Sequence, residues 1–140
     1  MNGYIVVDAS ILVARLVAGD VFHQTARNWL EAQRARGTRF LAPALLVVEV
    51  AAAISRHTAS PDLARRAVTS LKNLPDLRLV EMDRAVVQIA TEAAAAWGVR
   101  GADAFYIAIA HKLNLPLATL DTDQRARASR ILRQVINPAT

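Results

Sequence analysis

The chain of 140 residues contains no cysteine, which excludes disulfides and thiolate-bound metals and leaves hard oxygen donors as the available metal chemistry. A reducing, cytoplasmic setting is the natural expectation for such a composition. Lysine is almost missing too. Lys72 and Lys112 stand against fifteen arginines, and the formal net charge is +5. A basic balance of that size favours a polyanion or an acidic protein as partner, although an arginine- and alanine-rich composition produces the same charge without any partner. No apolar run is long enough to span a bilayer: the longest, from Phe40 to Ile54, is interrupted by Pro43 and Glu49 and falls short of about 20 residues. No secretory leader is expected either, because a strand-like run, Tyr4 to Val7, begins almost at once. There is no glycine-rich phosphate loop followed by lysine, no His-Glu-x-x-His and no Gly-x-Ser-x-Gly. His23, His57 and His111 are scattered, so neither a histidine metal site nor a nucleophile–histidine pair is offered.

What the chain does contain is an alternation of short apolar runs and helical periodicities. Tyr4–Val7, Arg39–Ala42, Leu77–Val80, Pro116–Thr119 and Ile131–Ile136 read as strands. Between them, helical spacing predicts helices over Ala9–Leu16, His23–Arg36 with Gly37 as stop, and a third that opens at Pro43 and ends near His57. Ser60-Pro61 starts a surface helix with Leu63, Ala67, Val68 and Leu71 as its apolar stripe. Asp83 caps an alanine-rich helix that closes at Gly98, and further helices cover Asp103 to about Asn114 and Asp123 to Arg130. Strands alternating with helices imply one α/β domain over 1–140, with a parallel sheet covered by helices on both faces. Ligand sites in such folds lie beyond the carboxyl ends of the strands.

Against this background four carboxylates stand out, each inside apolar sequence: Asp8 after Ile5-Val6-Val7, Glu49 within Val47-Val48-Glu49-Val50, Asp103 before Ala104-Phe105, and Asp121 after Leu117-Ala-Thr-Leu120. Two carboxylates about 4 Å apart repel by roughly 4 kcal/mol at an effective dielectric of about 20, so several together need a counter-cation. With oxygen donors alone, that cation is best read as Mg²⁺ or Mn²⁺. Asp8 and Asp121 follow predicted strands and project from the same sheet edge, while Asp103 and Glu49 reach it if their helices pack there. Each has a plainer reading. Asp8, Asp103 and either Asp121 or Asp123 fit helix N-caps. Glu49, about two turns into its helix, fits no cap, and its structural alternative is a buried pair with an arginine such as Arg56. Ser10 and Thr119 place hydroxyls two residues from Asp8 and Asp121, either as supports for those acids or as ordinary capping and strand residues.

The segments Val7-Asp8-Ala9-Ser10, Val48-Glu49-Val50-Ala51, Asp103-Ala-Phe-Tyr-Ile-Ala-Ile-Ala110 and Leu117-Ala-Thr-Leu-Asp121-Thr-Asp123 together resemble the PIN-domain family, and more narrowly the VapC-type toxin ribonucleases. The likeness runs over essentially the whole chain, in order. It implies a five-stranded parallel sheet with flanking helices. It also implies a Mg²⁺ or Mn²⁺ site built by Asp8, Glu49, Asp103 and Asp121, with Asp123 replacing or supporting Asp121, and endonucleolytic cleavage of RNA by a metal-activated water. A homodimer and a cognate VapB-like antitoxin are implied as well. Arg15, Arg125 and Arg127 are candidate contacts to RNA phosphates. Two rivals compete: an inactive relative acting as a nucleic-acid or protein binding module, and a receiver-like phosphoacceptor domain. The receiver is disfavoured because Asp8 has no adjacent acid and neither lysine follows the last strand.

Overall fold

The computed structural model describes residues 3–140. Its elements, in chain order, are β1 (Tyr4–Val7), α1 (Ala9–Leu16), α2 (His23–Ala35), β2 (Arg39–Pro43), α3 (Leu45–Thr58), α4 (Pro61–Lys72), β3 (Leu77–Val80), α5 (Arg84–Trp97), α6 (Gly101–Leu113), β4 (Leu117–Ala118), α7 (Thr122–Ala128) and β5 (Val135–Ile136). All strand pairs are parallel and the spatial order is β3-β2-β1-β4-β5. The expected α/β fold with a five-stranded parallel sheet is therefore present. The order also disposes of the receiver alternative, whose sheet runs 2-1-3-4-5.

The central strands are apolar on both sides, as a sheet covered on both faces requires. Val6, Val7, Leu41, Ala42, Leu117 and Ala118 are all buried. The helices pack in two groups, α1 to α4 and α5 with α6. Because the crossovers leave β1 in one direction and return to β4 in the other, right-handed connections set these groups on opposite faces. Helix α6 lies against β1, β2 and β4 and carries Tyr106 and Ile107, both wholly buried. Each such side chain contributes about 1.5–3 kcal/mol of burial energy.

Four expectations need correction. Pro43 does not open α3; it is the last residue of β2, paired with Val80, and the β1–β2 pairing has ended at Leu41 before it. The buried face of α4 carries Ala64 and Leu71, and Leu63 is exposed, so the apolar stripe is rotated by about one residue. Helix α6 begins at Gly101 with Arg100 as its cap residue, which places Asp103 inside the first turn and removes it from the N-cap role. The last strand is confined to Val135–Ile136, the residues that pair with β4.

The sheet order reverses at β1, and the neighbouring carboxyl ends of β1 and β4 form the switch point where open α/β sheets place their ligands. Val7 is in register with Ala118, and the Asp8 amide continues the ladder by donating to the Ala118 carbonyl at 3.0 Å. Asp8 and the turn leading to Asp121 consequently leave the sheet side by side.

Candidate active site

Asp8 is nearly buried, and its orientation is fixed through one oxygen. Oδ2 accepts from the Ser10 hydroxyl at 2.8 Å, from the Thr119 hydroxyl at 2.8 Å and from the Ser10 amide at 3.4 Å. The same hydroxyls tie the two strand ends together, since the Leu120 amide donates to Ser10 Oγ and the Asp121 amide to Thr119 Oγ1, each at 3.0 Å. Asp8 is thus both the cap of α1 and an anchored acid, so the capping and site readings coexist. Its Oδ1 accepts no hydrogen bond among the described residues.

The other acids repeat the pattern of one held and one open oxygen. Glu49, one turn into α3, accepts from the Tyr106 hydroxyl through Oε1 at 2.6 Å. The alternative of an ion pair with Arg56 is not realised; the partner is a phenol reached from α6. Asp121 caps α7 through Oδ1, which accepts from the amides of Asp123 and Gln124 at 2.9 and 3.1 Å. Asp103 Oδ2 accepts from Arg100 Nε at 3.2 Å and stands 3.8 Å from an Arg127 guanidinium nitrogen.

Electrostatics show that these carboxylates share a region. Partial burial pushes the Glu49 carboxyl up from its ordinary range; the Tyr106 hydrogen bond opposes this, and the charges of Asp8 and Asp103 add to it. Burial likewise raises Asp103, opposed by Arg100 and reinforced by Asp8 and Asp121. Burial and the neighbouring Glu49 charge raise the Tyr106 hydroxyl, so it stays protonated and keeps donating. Among the described residues no three acidic or histidine side chains are gathered closely enough to hold an ion as they stand.

The donor set fits a hard divalent cation on chemical grounds: carboxylates only, no sulfur, no histidine, and a free oxygen on each acid. Glu49 and Asp121, with Ser10, line a cleft of about 620 Å³ that extends toward Asp20, Phe22 and Arg56. Asp123 is exposed and two residues past the cap. Arg125 reaches back to donate to the Thr119 carbonyl at 3.4 Å, and Arg127 faces Asp103, so both border the acids. Arg15 lines a separate crevice with Arg34 and Asp76. Sequence reasoning missed Tyr106 and Arg100. Both sit three residues from Asp103 on the same helical face, which is the signal that could have found them.

With this geometry in hand, residues 5–129 match the PIN domain family. The chain belongs to that family. No curated protein sequence matches it significantly. Solved structures resemble it over most of their length. One is the *Mycobacterium tuberculosis* toxin VapC20, described as cleaving the sarcin–ricin loop, at 20% identity and TM-score 0.74, covering 87% of this chain and 93% of that one. Another is VapBC2 from *Rickettsia felis*, bound to a DNA fragment from its promoter, at 14% identity and TM-score 0.72, covering 96% and 98%. A third is DNA-bound VapBC from *Salmonella typhimurium*, at 12% identity and TM-score 0.71, covering 99% of each chain. At these identities the likeness is one of fold. Among the described residues no helix is long and apolar enough to cross a membrane.

Proposed function

We propose that this PIN-domain chain, one nuclease domain over 1–140, is a divalent-cation-dependent endoribonuclease acting as the toxin of a VapBC-type pair. The observation that carries the reading is the arrangement of Asp8, Glu49, Asp103 and Asp121 at the strand switch point, each secured through one oxygen and open at the other. Solved relatives in fold that are toxins or toxin–antitoxin complexes support it.

The four acids would hold Mg²⁺ or Mn²⁺, with Asp123 as a neighbouring carboxylate. When bound, such an ion supplies a water of lowered pKa and Lewis acidity toward a phosphodiester. Asp8 contributes a carboxylate whose direction is set by Ser10 and Thr119, so little reorganisation is needed at that position. Glu49, held at Oε1 by its Tyr106 donor, would offer its other oxygen to the same cation. Arg125 and Arg127 lie where backbone phosphates of the RNA would pass. No side-chain nucleophile is required, which agrees with a site free of cysteine and histidine.

An acidic VapB-like antitoxin suits the net charge of +5 and would cover the same cleft, and a homodimer is proposed by analogy with the family. The decisive experiment incubates the purified chain with total cellular RNA under Mg²⁺, Mn²⁺ or EDTA, with Asp8→Asn as control. Discrete fragments that need metal and Asp8 are expected. Intact RNA under every metal condition would overturn the nuclease reading in favour of a binding module.

A further inference from the structure

The cleft is longer than the acid cluster explains. Besides Glu49 and Asp121 it is lined by Val13 and Val48, by Ala52 and Arg56 about one and two turns after Glu49 along α3, and by Asp20 and Phe22 from the segment after α1. Phe22 is an aromatic side chain, 37% exposed, that belongs neither to the hydrophobic core nor to any aromatic pair among the described residues. Its backbone is nevertheless held firmly. The Phe22 amide donates to Asp20 Oδ1 at 2.8 Å, the His23 amide to the Asp20 carbonyl at 2.9 Å, and the His23 ring nitrogen lies 2.9 Å from the Ala14 carbonyl. An apolar ring is thus presented to the cleft on a fixed turn, with the small side chains Ala52 and Ala53 also on the lining.

We infer that this part of the cleft is a nucleobase pocket of the RNA substrate, with Phe22 as the stacking surface and Asp20 reading a base that carries an exocyclic amino group. The inference rests on the ribonuclease reading. Single-stranded RNA is recognised by splaying bases onto aromatic faces and bonding their edges, and the cleft has the ordinary volume of a small-ligand site. Asp20 Oδ2 accepts no bond among the described residues, so the carboxylate can take an amino hydrogen, as acidic side chains do from cytosine N4. Uracil presents a carbonyl at that position and would be repelled. Arg56, in the last turn of α3, forms no ion pair among the described residues and supplies the cation for a phosphate flanking the base. The pocket thereby offers an aromatic face, an acceptor and a cation in one cleft with Glu49 and Asp121.

The test measures binding of fluorescein-labelled oligocytidylate and oligouridylate by anisotropy in Mg²⁺, on the full chain carrying Asp8→Asn to suppress cleavage. Oligocytidylate is expected to bind roughly tenfold tighter than oligouridylate. Adding Phe22→Ala should weaken both by roughly tenfold with an unchanged melting temperature. Adding Asp20→Asn keeps an acceptor for the Phe22 amide and should bring the two oligonucleotides within about twofold of each other, because an amide can donate to the uracil carbonyl. Equal binding of both oligonucleotides, or no effect of Phe22→Ala, overturns the pocket. So does a Phe22 dependence seen only for an apolar acidic peptide, which would make the surface a protein-docking site. Metal-dependent cleavage of total RNA by the wild-type chain, measured separately, keeps the nuclease reading standing in any of those cases.

Discussion

Thr119 and Asp8 sit at the carboxyl ends of neighbouring strands, and the Thr119 hydroxyl donates to Asp8 Oδ2 at 2.8 Å inside the protein. Thr119 is fully buried and its Oγ1 also accepts from the Asp121 amide, so one hydroxyl joins two of the four acids. Replacing it by valine keeps the shape and removes both bonds, together with the 3.3 Å contact to Ser10 Oγ. A hydrogen bond to a charged group is worth about 1.5–3 kcal/mol, and the Asp121 amide would lose its partner as well. Thr119→Val is expected to lower stability by about 2–4 kcal/mol in urea denaturation. It should also weaken the stabilisation produced by Mn²⁺. Undiminished Mn²⁺ stabilisation would show that Thr119 packs the core without orienting the site.

Glu49→Gln separates charge from shape, because Gln Oε1 can still accept from Tyr106. The folded protein raises the Glu49 pKa, chiefly by burial. A carboxyl whose pKa is higher folded than unfolded contributes stability below its unfolded pKa and loses it as pH rises through the folded value. At neutral pH without metal, wild type therefore carries a penalty that the glutamine variant escapes. The variant is expected to melt higher than wild type in EDTA at pH 7–8, with the gain shrinking toward pH 4. Melting curves across pH in EDTA decide the matter, and a variant less stable at every pH would mean the carboxylate is needed for the fold.

The distribution of what was legible follows from the range of the physics involved. Helix α1, the Ser60 and Asp83 caps and the αL glycine at 98 are local, and the side-chain pattern marks them correctly. Asp8 and Asp121 were placed on one edge because both follow strands, and only parallel pairing was needed to join them. The partner of Glu49 was not legible, since Arg56 is the nearer cation along the helix while Tyr106 arrives from 57 positions away through the docking of α6 near α3. Pro43 was misplaced because its fixed φ suits a first helical turn and a strand end equally. Arg100 and Asp103 lie three apart, a spacing that fits a turn followed by a helix start at Asp103, whereas Arg100 is the cap residue of α6 and Asp103 lies within its first turn.

Tyr106→Phe takes away the one donor to the Glu49 carboxylate among the described residues. That hydrogen bond opposes the burial-driven rise of the Glu49 pKa, so its loss should raise the value further. Metal binding requires the ionised carboxylate, and the variant is expected to bind Mn²⁺ several-fold more weakly at pH 6 than wild type while approaching it at pH 8. Isothermal titration at the two pH values provides the check. A deficit equal at both would point to lost geometry instead of a shifted proton.

Arg100 offers a prediction with opposite signs in one variant. Its guanidinium bonds Asp103 Oδ2 at 3.2 Å and lowers the Asp103 pKa, yet it also competes with any cation that the same carboxylate would hold. Much of the Arg100 side chain is solvated, so its pull is screened and the competition is modest. Removing a positive charge beside the acids strengthens their attraction for a divalent ion. Removing it beside Asp103 also weakens attraction for RNA phosphates and should flatten the salt dependence of RNA affinity by about one unit of slope. Arg100→Gln is therefore expected to bind Mn²⁺ a few-fold more tightly at pH 8 and to bind RNA more weakly at low salt. If Mn²⁺ affinity fell along with RNA affinity, Arg100 would be holding Asp103 in its ligating position, and the ion pair would be part of the site's scaffold instead of a rival to the metal.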